Sequence, residues 1–463
     1  GRGGARVLPQ LAEEAELMSK RCREVPCDVL APGALHFYDA ATAFRLGATD
    51  RQLHATLLGQ LTTVNVALRG KRLRPASAAS LAQSLGTLES LKVLIADVSF
   101  TALGEDGTHD LAQAVGVLRS LARLDLSLAG CGLGAAGMRK VSQELSGLRS
   151  LTWLKLDVGF NDAGDAGLRE LAQAVGSLSA LRRLEVGANR NRVGDMGAGW
   201  LARAVGGLPR LTDVGLQLFD NRVGETGLHE LARALRCLRG PSRLALGLNR
   251  NSASEAGVQD LAQAAGALPG LAELELHLSI SSVGWAGAHD LSQAVGAFHG
   301  LLSLVLDLNV NQIGAAGARL LVQAVAAQKS LASLRLLISG NRVREVGARE
   351  LAQALAALRS LAGLELDVSG NGIGDVGACE LARSLGSLPG LSRLVADLRG
   401  NLVGELGVRE LSRAVGALPH LARLELRLDG NSHGIGEARP SHHELAHVVR
   451  RLQSGGCTCE CTW

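Results

Sequence analysis

Hydrophobic and polar positions repeat every 30 residues along most of the chain, from about residue 51 to residue 430. One unit, residues 351–380, reads LAQALAALRSLAGLELDVSGNGIGDVGACE. Within it, the segment 361–368 ends in strict alternation of Leu or Val with other residues, which predicts a short strand with one buried face. The segment 351–358 has its apolar residues at helical spacing instead. The pattern therefore predicts one strand and one helix in every unit.

An asparagine closes the predicted strand in nine units. These residues are Asn161, Asn191, Asn221, Asn251, Asn311, Asn341, Asn371, Asn401 and Asn431. An asparagine side chain carries both a donor and an acceptor, so copies stacked at one position can bond backbone groups of loops that have left the sheet. We therefore predict a structural asparagine ladder. In other units the position holds Lys71, Thr101, Cys131 or Ser281.

A glycine follows six residues after the asparagine position in eleven successive units, from Gly107 to Gly407. Because glycine has no Cβ, it lets the first helical turn approach the neighbouring unit closely. An acidic residue then follows in many units, as at Asp110 and Glu170. We expect this acid to open the helix, where a negative charge complements the helix dipole.

The pattern L-x-x-L-x-L followed by N-x-[IV]-G-x-x-G resembles the leucine-rich repeat. The G-x-x-G followed by L-A-x-A-[LV] resembles the ribonuclease-inhibitor-like class of that repeat, shared with Ran GTPase-activating proteins and NOD-like receptors. The resemblance implies an α/β fold, a curved solenoid or horseshoe with a parallel β-sheet on the concave face and helices on the convex face. The chain departs from the usual motif by an extra Leu or Val before the asparagine, as at Val158 and Val368. This departure predicts a lengthened strand.

The repeat divides the chain into three parts. Residues 1–50 break the period and are predicted to form a mostly helical N-terminal cap, since the end units of an open solenoid need cover. Residues 51–440 hold about thirteen repeats of 30 residues. Residues 441–463 are predicted to form a capping helix and a flexible tail that contains cysteines.

Composition narrows the function classes. Aromatic residues make up only 2% of the chain, so leucine, valine, alanine and isoleucine must fill the core. The net charge is +4, from 48 basic and 44 acidic residues, and gives no general attraction to nucleic acid or anionic membranes. Cys131, Cys237 and Cys379 lie in separate repeats, too far apart to pair. Unpaired cysteines favour a reducing compartment, and we expect a cytoplasmic protein.

Two motifs suggest metal chemistry. His443-Glu444-Leu445-Ala446-His447 fits the zinc-protease pattern H-E-x-x-H. Its Glu-Leu-Ala core is the repeat's own sequence, however, and no third ligand follows. The thiols of Cys457, Cys459 and Cys461 lack the C-x-x-C spacing of strong zinc sites, and they fit either a weak metal site or a reactive tail. We predict no metal site, no cofactor and no catalytic residue.

Strand residues between the buried leucines should face the concave surface. Those predicted to contact a partner are Trp153, Phe219, Asp157, Glu185, Asp307, Glu365, Asp367, Asp397, Arg183 and Arg393. Large aromatics and arginine are typical of interface hot spots. The alternative is that acids and arginines pair across adjacent strands and keep the face soluble.

These features predict a monomeric, non-enzymatic scaffold that binds a protein partner, with neither nucleic acid nor membrane as a partner. Two other functions follow from the resemblance. One is a regulator of small GTPases similar to Ran GTPase-activating proteins, although no residue here can be matched to a catalytic one. The other is a sensor fragment of a NOD-like receptor.

Overall fold

The computed structural model describes residues 34–37, 62–71, 75–101, 103–431 and 440–462. The strands are β1 (Ala34–Phe37), β2 (Thr63–Ala67), β3 (Val93–Asp97), β4 (Arg123–Ser127), β5 (Trp153–Asp157), β6 (Arg183–Gly187), β7 (Asp213–Gln217), β8 (Arg243–Gly247), β9 (Glu273–His277), β10 (Ser303–Asp307), β11 (Ser333–Leu337), β12 (Gly363–Asp367), β13 (Arg393–Asp397), β14 (Arg423–Arg427) and β15 (Thr458–Thr462). The helices are α1 (Pro75–Gly86), α2 (Gly104–Gly116), α3 (Gly134–Leu145), α4 (Gly164–Gly176), α5 (Asp195–Gly206), α6 (Glu225–Cys237), α7 (Glu255–Gly266), α8 (Gly284–Ala297), α9 (Gly314–Ala326), α10 (Arg344–Ala356), α11 (Gly374–Gly386), α12 (Glu405–Gly416) and α13 (Pro440–Ser454).

All these strands lie side by side in one open parallel sheet, in the order of the chain. From β2 to β14 each strand residue pairs with the residue 30 positions further on, as Leu124 does with Leu154 and Leu154 with Leu184. These three leucines are fully buried, and the same positions of the other units continue them into one core along the solenoid. The predicted α/β solenoid with a parallel sheet is confirmed.

The prediction of a lengthened strand is wrong in its bounds. The strands from β2 onward have five residues, and the extra apolar residue, such as Val158, lies buried just beyond the strand. Hydrogen bonds between units nevertheless continue there. The N–H of Val158 donates to the carbonyl of Gly187 at 2.7 Å, and that of Phe160 donates to Asn189 at 2.8 Å. Phe160 has a φ of +59°, and the chain turns away from the sheet direction at this residue.

The acids expected to open the helices lie in the second helical turn instead. Helix α4 already begins at Gly164, so Glu170 comes well inside it. The acid of the first turn is Asp165, and its Oδ1 accepts the N–H groups of Gly194 at 2.7 Å and Gly197 at 3.0 Å. Gly194 immediately precedes helix α5 of the next unit, and Gly197 lies in its first turn. A carboxylate from one unit therefore caps the helix of its neighbour and couples the two units.

The repeated glycine lies where successive units approach closely. A Cβ at Gly167 would stand 2.7 Å from the Cβ of Ala163 and 3.2 Å from the Cβ of Met138 in the preceding unit. A larger residue here would push neighbouring units apart. The repeated glycine thus allows the close approach that the sequence predicts.

Each stacked asparagine makes hydrogen bonds to backbone groups of its own unit and of the preceding unit. Asn341, which is fully buried, accepts at Oδ1 the N–H groups of Asn311 at 2.9 Å and Ile313 at 3.3 Å. Its Nδ2 donates to the carbonyls of Leu308 at 2.8 Å and Ser339 at 3.1 Å. One side chain thus bonds four loop backbone groups from two successive units.

In units without the asparagine, smaller side chains make some of the same hydrogen bonds. The thiol of Cys131 donates to the carbonyl of Val98 at 3.3 Å, and the hydroxyl of Ser281 donates to that of Ser279 at 3.2 Å. Neither side chain can both donate and accept at the two sites that an asparagine amide reaches.

The structure describes little of the predicted N-terminal cap and corrects part of the predicted C-terminal one. Ala34–Phe37 form strand β1 in the region predicted to be mostly helical, and the remaining residues of that region lie outside the described residues. The predicted C-terminal helix is α13. The tail after it is not flexible, because Thr458–Thr462 pair with β14 as the last strand of the sheet. Cys459 and Cys461 lie opposite Leu424 and Leu426 and take the inward positions that leucines hold elsewhere.

Candidate functional site

The candidate site is the face of the sheet opposite the core. It consists of the first, third and fifth residues of strands β2 to β15, and is called the sheet face below. On β5 these residues are Trp153, Lys155 and Asp157. Lys155 is exposed, and the other two are half-buried. Because neighbouring strands are about 4.8 Å apart, these fourteen strands give a face on the order of 60 Å long.

Trp153 stands between two arginines on the sheet face. Arg123 and Arg183 occupy the same strand position on the two neighbouring strands. Their Cζ atoms lie 3.5 Å and 5.2 Å from the centroid of the indole ring. Arg183 is fixed on its other side by an ion pair with Asp213, with 3.2 Å between Nε and Oδ2. The cation–π contacts hold the indole in one orientation on a largely open surface.

An ion pair in the middle of the sheet face crosses two strand spacings. Arg243 on β8 contacts Glu185 on β6, with 3.1 Å between Nη1 and Oε1. The intervening strand carries Gly215, where a Cβ would stand 3.1 Å from Cγ of Glu185. The glycine therefore leaves the space through which the glutamate reaches. Arg243 also pairs with Glu275 on β9 at 3.4 Å.

His277 continues this network on β9. Its Nε2 lies 2.7 Å from Glu275, and its Nδ1 lies 3.5 Å from Asp307 on β10. Burial opposes protonation of the imidazole, but the hydrogen bonds to the two carboxylates raise the pKa of His277 to about 9. The bond from His277 lowers the pKa of Glu275. The side chain of Asn249 donates to Asp307 at 3.3 Å. At neutral pH His277 is therefore a cation held between two carboxylates.

Several acids predicted to contact a partner are already neutralised within the face. Glu365 pairs with Arg335 at 3.0 Å. Asp397, only 5% exposed, pairs with Arg399 at 2.6 Å. Asp367 accepts the backbone N–H of Ser369 at 2.9 Å, which fixes the turn after the strand. Most of the acidic residues predicted to contact a partner are thus paired with cations of the protein itself, as in the alternative interpretation of the face.

The structure does not bring the ten predicted residues together into one site. They lie on β5 (Trp153, Asp157), β6 (Arg183, Glu185), two residues beyond β7 (Phe219), and on β10 (Asp307), β12 (Glu365, Asp367) and β13 (Arg393, Asp397). The four residues on β5 and β6 lie on neighbouring strands. Half-buried Phe219 follows β7, the next strand of the sheet. Within the described part of the chain, exposed Arg393 makes no ion pair.

Sequence reasoning missed His277 and Gly215 as parts of the site. Gly215 gives a signal that could have been used, because a glycine inside a strand marks a close approach of another group. The role of His277 had no such signal, since it depends on carboxylates 2 and 30 positions away.

The metal motif and the cysteine motif form no metal site among the residues that the structure describes, where no group of three His, Cys, Asp or Glu could hold an ion. His443 and His447 are exposed on α13. Burial raises the pKa of Cys459 to about 12 and that of Cys461 to about 11, so both thiols are protonated at neutral pH. Across the same described residues, no helix has the length and apolarity that crossing a bilayer requires.

Comparison with known proteins supports the repeat and leaves the partner open. A family model described as Leucine Rich repeat matches residues 364–382, which run from β12 into α11. No curated protein matches the chain. A chain from the crystal structure of the Rad7 and Elc1 complex in yeast is similar, with 15% identity over 95% of this chain and 97% of that chain, and a TM-score of 0.40. The matched repeat and the parallel sheet fit a leucine-rich-repeat protein.

Proposed function

We propose that the protein is a non-enzymatic scaffold that binds a protein partner on its sheet face, centred on Trp153. One observation carries this proposal. A tryptophan stands on the open sheet between Arg123 and Arg183, whose guanidiniums lie 3.5 Å and 5.2 Å from its ring. Tryptophan and arginine are the residues that most often dominate binding energy at interfaces, and a ring fixed in advance loses little entropy on binding.

The distribution of charge supports the same location. Toward the C-terminal end, acids such as Glu365 and Asp397 are already paired with arginines of the protein itself. A partner would have to break those pairs and would gain little net energy from them.

Around β5 the large outward groups are half-buried Trp153 and the exposed cations Lys155 and Arg183. The two cations pair with Glu185 at 3.9 Å and with Asp213 at 3.2 Å, longer distances than those of the pairs toward the C-terminal end. A partner gives up less when it replaces these longer, more exposed pairs.

The ribonuclease-inhibitor-like class, a monomeric state and a cytoplasmic location belong to the same proposal. The free state of the six cysteines in the described residues supports a reducing compartment. Regulation of a small GTPase remains the alternative, and a stimulated-hydrolysis assay over a panel of GTPases separates it. Acceleration of any of them would replace the scaffold proposal.

Affinity capture with the full chain tests the proposal. Replacement of both anchors, Trp153→Ala and Phe219→Ala, should reduce recovery of the specific partners at least tenfold, since a hot-spot aromatic contributes about 2 kcal/mol or more. The matched control is Trp285→Ala, which removes a tryptophan that is 53% exposed on α8, away from the sheet face. The control should capture the same partners as the unmodified chain. Identical partner lists for all three proteins would contradict the proposal.

A further inference from the structure

A row of side chains runs past the carboxyl ends of strands β3 and β5 to β10, three residues after the last residue of each strand. The row consists of Phe100, Phe160, Arg190, Asp220, Arg250, Ile280 and Val310, and is called the rim row below. Every member has a left-handed backbone, with φ between +51° and +59°. The equivalent residue of six other units is a glycine with positive φ, as at Gly130, Gly340 and Gly370.

The turn itself does not require these side chains. Glycine adopts a left-handed conformation without strain, and the units that carry it have the same turn. A β-branched residue there is a genuine outlier, yet Ile280 and Val310 have φ of +54° and +56°. Six successive units, from residue 160 to residue 310, thus keep a side chain where a glycine would adopt the turn without strain, and in two of them that side chain is β-branched. Strain that is retained in this way points to a function of the side chains.

The apolar members of the row are presented to solvent. Phe100 is 44% exposed and Phe160 is 41% exposed, while Ile280 and Val310 are about half exposed, at 47% and 54%. The ring of Phe100 lies over Gly130 and meets that of Phe160 edge-on, with centroids 5.7 Å apart. The row therefore begins with an ordered aromatic pair and ends with two aliphatic residues.

The middle of the row is cationic. Arg190, Arg192 and Arg222 line a cavity of about 340 Å³ together with Asp220 and Asn221. Arg190 pairs with Asp220.

Two further observations leave this region with excess positive charge. Arg192 pairs with Asp162 at 2.9 Å. Exposed Arg222 and Arg250 make no ion pair with any residue that the structure describes. Four arginines thus face two carboxylates along this stretch.

We infer that the rim row is a second binding surface, which holds an extended acidic segment of a partner protein with apolar residues at both ends of the segment. The aromatic pair and the aliphatic pair bind the two apolar ends, and the arginines between them bind the acidic centre. The seven unit steps from Phe100 to Val310 span about 34 Å, which corresponds to about ten residues of extended chain. This surface is separate from the one around Trp153 and does not depend on it.

Fluorescence anisotropy with the full chain tests this inference. The probe is a labelled peptide of about ten residues, with glutamates in the centre and leucine or phenylalanine at both ends. A peptide with lysines in place of the glutamates is the charge control. The acidic peptide should bind, more weakly as salt is added, and the lysine peptide should bind at least tenfold more weakly.

The variant that separates binding from folding is Arg250→Gly with Ile280→Gly and Val310→Gly. Glycine suits the left-handed backbone at all three positions, so the unfolding temperature should stay the same or rise. Affinity for the acidic peptide should fall at least tenfold. The matched control is Arg342→Gly with Leu402→Gly, two other left-handed positions outside the row, which should leave both quantities unchanged.

The inference is overturned if the acidic peptide fails to bind, if the lysine peptide binds equally well, or if the triple variant keeps its affinity. A lower unfolding temperature for the triple variant would assign these side chains a structural role and also overturn it. Preference for a single-stranded oligonucleotide over the acidic peptide would overturn it in favour of a nucleic-acid surface. Trp153→Ala should leave peptide binding unchanged, which keeps this test distinct from that of the sheet face.

Discussion

Asn341→Ala should lower the free energy of unfolding by about 3 to 5 kcal/mol, among the largest losses expected for one polar side chain. The amide bonds four backbone groups of two units, at distances between 2.8 and 3.3 Å, and is fully buried. Alanine would leave all four groups without that partner, in a place that water does not reach. Each unsatisfied buried group costs about 1 to 3 kcal/mol, reduced where the loop can relax.

The matched control is Asn309→Ala. Asn309 lies two residues before the ladder position, and its Oδ1 accepts one hydrogen bond, from the N–H of Ser339 at 2.7 Å. Its loss should cost only about 1 kcal/mol. Denaturant unfolding followed by circular dichroism compares the two variants. Amide hydrogen exchange should accelerate at Asn311 and Ile313 only in Asn341→Ala. Equal losses of stability for the two variants would contradict a structural ladder.

Stability should fall as the pH rises through about 9, because His277 loses its proton. The pKa of this imidazole is about 9 in the folded chain, against an ordinary value of 6.5. A group whose pKa is raised by folding stabilises the folded state fully below the ordinary value, and loses that contribution as the pH passes the raised one. The shift corresponds to about 3 kcal/mol of stability at neutral pH or below.

His277→Gln is the variant that tests this assignment. Glutamine can still donate to Glu275 but carries no charge, so the variant should be less stable near neutral pH and should lack most of the decline below about pH 9. Unfolding midpoints at about pH 6 and about pH 8.5 give the comparison, because the buried thiols of Cys459 and Cys461 add a decline of their own above about pH 9. Exposed His443, which makes no ion pair among the described residues, supplies the control His443→Gln. A decline of equal size in His277→Gln would show that other groups cause it.

The fold was open to prediction because its signals are local and repeated. Leu364 and Leu366 mark the inward side of one strand, and Leu334 and Leu336 mark it 30 residues earlier. Helix starts were predicted less well. The acid that caps a helix, such as Asp165, belongs to the preceding unit and bonds across the unit boundary. Strand β15 was missed because cysteines replace the inward leucines there.

The site was predictable only as a face. Alternation along a strand identifies the outward residues, but it does not show which of them are paired with one another. Glu365 and Asp397, both predicted as contacts for a partner, pair with arginines of the protein, and alternation along a strand does not reveal such pairs. The rim row was missed because a left-handed φ at Phe160 or Val310 contradicts the ordinary preference of those residues. The only signal was the glycine that other units carry at the same position, as at Gly130.

Oxidative footprinting of tryptophans, with and without a captured partner, tests the central claim most directly. Trp153 and Trp285 serve as two internal reporters, one on the sheet face and one 53% exposed on α8. If the protein is a scaffold that binds through its sheet face, the partner should protect Trp153 from oxidation and leave Trp285 as reactive as before. Protection of Trp285 with unchanged oxidation of Trp153 would place the partner on the helical side and contradict the account.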